Sequence, residues 1–163
     1  MPSHDYEEFI AALNGHGVHY LVVGAHAVAL HARPRATRDL DILLEPTEEN
    51  ARKALDALRD FFAGADLGYG IADLLEPTGI IQIGVAPVRI DLFSAMPGCP
   101  SFGEAWKRRV DARFGSVRTH YLGLEDLIRA KQAIARTQDK ADIRSLQRAK
   151  AARGPIRRSR KRG

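Results

Sequence analysis

The stretch RATRDLDILL, residues 35–44, decides how this chain reads. Leu40, Ile42, Leu43 and Leu44 supply the apolar content of a strand meant for burial. Asp39 and Asp41 nevertheless sit inside it, with Arg35 and Arg38 just before. Side chains alternate faces along a strand, so the two aspartates point one way while Leu40 and Ile42 point the other. Their Cα atoms then stand about 7 Å apart on one face, where carboxylates repel. A divalent cation between them removes the repulsion, and hard oxygen donors of this kind suit Mg²⁺ or Mn²⁺. A solvated edge strand would tolerate the same pair, so the rest of the chain must discriminate.

Downstream, VRIDLF at 88–93 repeats the anomaly. Val88, Ile90 and Leu92 share one face; Arg89, Asp91 and Phe93 share the other. Asp91 is thus a third acid within a strand-like apolar segment. Three carboxylates on two adjacent strands can carry two metal ions roughly 3.5–4 Å apart, the arrangement of phosphoryl-transfer enzymes. Upstream, VHYLVVG at 18–24 reads as a buried strand, and AHAVALHA at 25–32 as a short helix that Pro34 stops. The tight turn at Gly24–Ala25 presents backbone N–H groups and the positive end of a helix, a cradle for phosphate. Gly24 permits close backbone approach there.

Around this centre the periodicities predict a mixed α/β (α+β) chain. Tyr6, Phe9, Ile10 and Leu13 mark a helix over 5–14. Pro46 and Thr47 open another, with Glu48 and Glu49 in its first turn, running to about Phe62. Residues 64–79 are glycine-rich and read as irregular. Segments 80–84 and 88–93 form a hairpin turning through Val85, Ala86 and Pro87. A helix near 103–111, a strand near 116–121 and a pair of helices over 124–136 and 138–150 follow. The expected architecture is a mixed, twisted sheet flanked by helices, with a C-terminal helical pair.

Length and composition fit one domain, taken as residues 1–152, followed by a basic tail over 153–163 expected to be disordered. The formal charge of +5 is unevenly placed: residues 153–163 hold six basic residues and no acid, while residues 1–126 hold 12 basic against 18 acidic. That asymmetry points to a polyanion near the C-terminus, a solvated basic end being the plainer explanation. A lone Cys99 cannot form an internal disulfide, which suits a reducing, cytoplasmic location. The N-terminus lacks the apolar core of a secretory signal, and no apolar run approaches the ~20 residues of a membrane helix.

Gly24-Ala25, a spacer of 13 residues, Asp39-Leu40-Asp41 and a later strand aspartate together resemble the DNA polymerase β-type nucleotidyltransferase superfamily. Within it the chain is similar to small bacterial nucleotidyltransferases related to the AbiEii-type toxins. Their R-x-[ST]-x-D-h-D strand (h apolar) matches Arg35-Ala36-Thr37-Arg38-Asp39-Leu40-Asp41. Their L-h-x-x-K…R-x-x-D-x-x-D helical pattern matches Leu127 to Lys131 and Arg136 to Asp142. The resemblance covers about residues 15–147. One departure is Ala25, where the family carries Gly or Ser; a phosphate-binding hydroxyl is missing, while the backbone N–H is kept.

That resemblance implies transfer of a nucleoside monophosphate from an NTP donor to an acceptor hydroxyl. It implies two Mg²⁺ (or Mn²⁺) ions on Asp39, Asp41 and Asp91. Phosphates would be held by the backbone of Gly24 and Ala25, with Arg35, Thr37 and Lys131 assisting. Lys131 also draws notice in its own right, because Leu127, Ile128 and Ile134 surround it in one apolar stripe; snorkelling to solvent is the alternative. The acceptor suggested is RNA, with a tRNA end as one form, and a toxin–antitoxin role with a partner antitoxin follows by the resemblance alone. His26 and His31 read as packed or surface histidines. Asp139 and Asp142 read as structural, pairing with Arg136 and its neighbours. Two other classes stay open: a catalytically silent nucleotide- or RNA-binding module of the same fold, which Ala25 favours, and a basic nucleic-acid binder whose acids are structural.

Overall fold

The computed structural model describes residues 4–33, 37, 39–85, 88–134 and 137–153. Pro34, Arg35, Arg38, Ala86, Pro87, Arg136 and residues 154–163 lie outside the described residues, and with them the expectations placed there.

The chain begins with helix α1 (His4–Gly15), whose Tyr6, Phe9, Ile10 and Leu13 are buried as their spacing requires. Strand β1 (Tyr20–Val23) is buried at every position and passes directly into α2 (Gly24–His31). Strand β2 (Asp39–Leu44) keeps its two aspartates partly exposed, while Leu40, Ile42, Leu43 and Leu44 are buried. Helix α3 (Glu48–Phe61) starts at Thr47, whose side chain accepts from the Asn50 N–H at 3.2 Å. Strands β3 (Ile81–Val85) and β4 (Val88–Phe93) form the expected hairpin. Helices α6 (Leu124–Ile134) and α7 (Thr137–Arg153) pack together as the C-terminal pair.

Two stretches differ from the sequence expectation. The span 64–79 is not wholly irregular: it holds a short helix, α4 (Ile71–Leu75), started by the Asp73 carboxylate accepting from the Gly70 N–H at 2.7 Å. Five residues are too few to show a helical period. The helix expected over 103–111 is only α5 (Phe102–Lys107), and the chain then forms β5 (Val110–Phe114). This strand pairs antiparallel with β6 (Val117–Tyr121), turning through Gly115 at φ +58. Gly at positive φ in a two-residue connection is a hairpin signal, and the charged Asp111 and Arg113 of an edge strand masked it.

The six strands make one mixed sheet in the order β3-β4-β2-β1-β6-β5. β1 lies antiparallel to β2 and parallel to β6, while β2 lies parallel to β4. Helices flank the sheet: α1 packs on α3, and α2 packs on α6 and α7. A single apolar core, including Tyr20, Leu21, Leu40, Ile42, Ile90 and Leu92, runs through the central strands. This core fixes the register on which the acidic face depends. Among the described residues no helix is long and apolar enough to cross a membrane.

Candidate active site

The sheet register brings the sequence-predicted acids together. Asp41 of β2 is the direct partner of Asp91 of β4, and Asp39 is the partner of Arg89. Adjacent strands lie about 4.8 Å apart, and directly paired residues present side chains to the same face. The row continues on both sides: Val23 pairs with Asp41, and Gln82 pairs with Asp91. Asp41 is held beside the end of β1, where the chain turns into α2, while Asp91 lies one strand further out.

Gly24 has a structural reason to be glycine. Its φ is +65, and a Cβ built there would come within 2.2 Å of Asp41 Oδ2. The turn can hug the carboxylate only without a side chain. Val23, the N-cap of α2, makes no side-chain hydrogen bond to the helix, and the first turn holds no acid. The opening N–H groups of Gly24 and Ala25 are therefore not taken by a side-chain cap, and such groups with the helix dipole favour an anion.

Both features open on one cleft of about 800 Å³. Gly24, Ala25, Thr37, Asp39, Asp41, Asp91 and Lys131 all line it, so the fold assembles every described site residue expected from sequence. Thr37 donates its hydroxyl to the Asp39 carbonyl at 3.4 Å. Lys131 does not snorkel outward: its side chain is 14% exposed and its ammonium stands 3.2 Å from Asp142. Asp142 is thus paired across from α7 to α6, not merely with neighbours on its own helix. Arg35 lies outside the described residues.

Electrostatics single out Asp41. Burial, followed by the nearby charges of Asp91 and Asp39, pushes its carboxyl up to about 7; Lys131 and Arg89 pull the other way. Positive charge is what this place lacks, and Arg89 partly supplies it. Its guanidinium makes a two-point contact with Asp91, Nε to Oδ1 at 3.1 Å and Nη2 to Oδ2 at 3.0 Å, and lies 3.8 Å from Asp39.

The donor chemistry fits a hard divalent cation: three carboxylates, two of them in register, one strained by missing counter-charge. The placement is not a closed cage. Among the described residues no three side chains of the ligating types converge on one point, and Arg89 stands between Asp91 and Asp39. Closing three carboxylates on an ion requires the guanidinium to withdraw.

Two residues with a hold on this site were not singled out from sequence. Arg89 carried a signal, its i, i+2 spacing to Asp91 on the same strand face. Tyr6 carried none: from α1 its hydroxyl donates to the Arg89 carbonyl and accepts from the Arg89 N–H, both at 3.1 Å. His26 and His31 are packed histidines. The His26 ring meets Tyr6 and Phe114, and burial lowers its pKa to about 4. Nε2 of His31 donates to the Leu122 carbonyl at 2.8 Å.

Paired strand carboxylates beside a glycine turn thus face one cleft in this sheet order. The chain belongs to the family of nucleotidyltransferases of unknown function (DUF6036), which it matches over residues 5–151. No curated protein matches it. Solved structures share its fold at low identity. A Thermotoga maritima protein assigned as a nucleotidyltransferase is 15% identical, with TM-score 0.51, 94% of this chain and 93% of that one covered. ANT(2")-Ia in complex with adenylyl-2"-tobramycin is 14% identical, with TM-score 0.57 and coverages of 91% and 88%. An antigenic nucleotidyltransferase-like protein from Paracoccidioides brasiliensis is 14% identical, with TM-score 0.53 and coverages of 93% and 79%. At these identities the likeness concerns the fold alone.

Proposed function

We propose that the chain moves a nucleoside monophosphate from an NTP to an acceptor hydroxyl. The acceptor hydroxyl gives its proton to solvent, its oxygen bonds to the α-phosphorus, the bond from that phosphorus to the α–β bridging oxygen breaks, and pyrophosphate leaves. The observation that carries this reading is the register Asp41↔Asp91 beside Asp39, facing one cleft with the Gly24–Ala25 turn.

In this reading Asp39, Asp41 and Asp91 hold two Mg²⁺ or Mn²⁺ ions, which would lower the acceptor hydroxyl's pKa and neutralise phosphate charge. The remaining work belongs to the chain's own groups. The Gly24 and Ala25 N–H groups bind the β- and γ-phosphates. Lys131 balances their charge from the cleft wall, with Arg35 and Thr37 assisting. Asp91, on the outer strand of the acidic row, faces the acceptor, and Asp41, beside the turn, faces the donor. Rate enhancement comes from positioning and electrostatics.

The acceptor proposed is RNA, with a tRNA end as one form. A toxin–antitoxin role with an antitoxin partner, through kinship to the AbiEii-type group, belongs to the same proposal. So do a cytoplasmic location and the division into a catalytic unit over 1–152 and a basic tail over 153–163. A catalytically silent nucleotide- or RNA-binding module is the second reading. It is favoured by Ala25 and by the Arg89–Asp91 pair, which supplies a counter-charge without metal.

Calorimetric titration with non-hydrolysable NTP analogues, with and without Mg²⁺, tests the donor site. Wild-type protein is expected to bind one analogue only with Mg²⁺, and Asp41→Asn to lose that binding. Transfer from labelled NTP should vanish in Asp39→Asn and Asp41→Asn while folding is kept. Normal transfer by either variant would overturn the metal assignment; tight binding without any transfer would select the silent module.

A further inference from the structure

Helix α7 carries a charge pattern that the nucleotide site does not use. Lys140, Arg144 and Arg148 recur at i, i+4 and i+8 and are all exposed. At 1.5 Å per residue they form a row with steps of about 6 Å along one side of the helix. Among the described residues none of the three makes an ion pair or hydrogen bond, whereas other cations of the C-terminal helices do. Lys131 meets Asp142, Lys150 meets Glu125 at 2.9 Å, and Arg153 donates to the His31 carbonyl at 3.4 Å. The unpaired row therefore stands apart from Lys131, Lys150 and Arg153, whose side chains have partners.

The same helix is tied to the cleft. Near its start Asp142 holds Lys131, a cleft residue. At its end Arg153 reaches the last residue of α2, the helix that opens on Gly24 and Ala25. Leu146 is fully buried between these ties. Beyond Arg153 the sequence continues with Arg157, Arg158, Arg160, Lys161 and Arg162 and no acid.

We propose that the Lys140–Arg144–Arg148 row is the docking rail for the phosphate backbone of a single-stranded RNA, whose terminal hydroxyl is the acceptor. A rigid row of evenly spaced, uncompensated cations complements a linear polymer of evenly spaced anions. An RNA strand supplies both the phosphates for the rail and a hydroxyl for the cleft. The inference rests on the nucleotidyl-transfer reading only for the second half of that statement; the docking is independent of it.

The test is fluorescence anisotropy of a labelled, mixed-sequence 12-nucleotide RNA across a salt series. Four chains are compared: wild type, the triple variant K140E/R144E/R148E, its neutral counterpart K140Q/R144Q/R148Q, and a chain ending at Arg153. Wild type is expected to bind with strong salt dependence. Loss of three phosphate contacts from a single strand lowers the salt slope by about 2. The neutral triple variant should bind at least about tenfold more weakly at low salt, the reversed one more weakly still, and the shortened chain should keep the row's share of the slope. Circular dichroism and Mg²⁺–NTP-analogue titration should be unchanged in the neutral triple variant, because none of the three residues lines the cleft. No binding by wild type would overturn the proposal. So would neutral-triple binding equal to wild type, which would assign any RNA contact to the tail alone. Loss of analogue binding in wild type would instead count against the donor site and leave the anisotropy result to stand by itself.

Discussion

Arg89 and Asp91 lie two residues apart on β4 and face the same side, and the guanidinium grips the carboxylate at two points, 3.1 and 3.0 Å. The strand thus carries a counter-cation for its own acid. A metal ion held as proposed would compete with Arg89 for the same lone pairs. Arg89→Gln is expected to bind Mn²⁺ severalfold more tightly than wild type by calorimetry, and to lose thermal stability in metal-free buffer. Unchanged Mn²⁺ affinity would show that the guanidinium does not stand in the ion's place.

The raised pKa of Asp41 predicts a pH dependence with a definite sign. Below the ordinary carboxylate range Asp41 is protonated in folded and unfolded chains alike, and it costs nothing. Between that range and about 7 the folded state holds the proton more tightly, so its cost builds with rising pH and is complete above about 7. His26 and His31, with pKa values lowered by burial, act oppositely at acidic pH. The difference between variants therefore isolates Asp41. In metal-free buffer Asp41→Asn should gain melting temperature over wild type as pH rises from 5 to about 7, and the gain should level off above that. Saturating Mg²⁺ should shrink it.

Gly24→Ala tests the turn. The new Cβ meets Asp41 Oδ2 at 2.2 Å and sits at φ +65, so either the backbone or the carboxylate must move. Denaturant unfolding is expected to show a loss of about 1–3 kcal/mol. Nucleotide binding should fall even where the protein stays folded, because the displaced groups belong to both the cradle and the acidic row.

Tyr6→Phe removes a hydroxyl that serves both polar groups of the Arg89 backbone. The expected stability loss is about 1–2 kcal/mol. A positioning role predicts more than that: transfer should slow at saturating NTP with little change in NTP affinity. A purely structural role would move the melting temperature alone.

The strand around Asp39 and Asp41 is legible in the sequence, because alternation and burial agree from Asp39 to Ile42 and the run Ile42–Leu44 is apolar and buried throughout: β2 spans the expected DLDILL. The neighbourhood of Asp91 was legible by the same logic. The sequence could not show that Asp91 would pair with Asp41 rather than sit a residue off, since register is set by Leu40, Ile42, Ile90 and Leu92 packing in three dimensions. In sequence Tyr6 is one member of a helical apolar stripe, and its buried phenol does belong there. Its hydroxyl's partner lies 83 residues away, beyond the reach of any local pattern. Lys131 was conspicuous within its apolar stripe, but Asp142 became its partner only once α7 folded back on α6. β5 is hard to see in sequence because a short edge strand with charged outward positions has little hydrophobic signal to give.

The pairing of β2 with β4 has a kinetic side. Asp41 and Asp91 are fifty residues apart in the chain, with α3, α4 and β3 between them. A parallel contact of that span forms only after a long loop has been closed, and such contacts slow folding. Here the step also brings two like charges side by side. The site therefore has no precursor in any local fragment, and replacing either aspartate with asparagine should let the chain reach its native state faster, whatever it does to the chemistry.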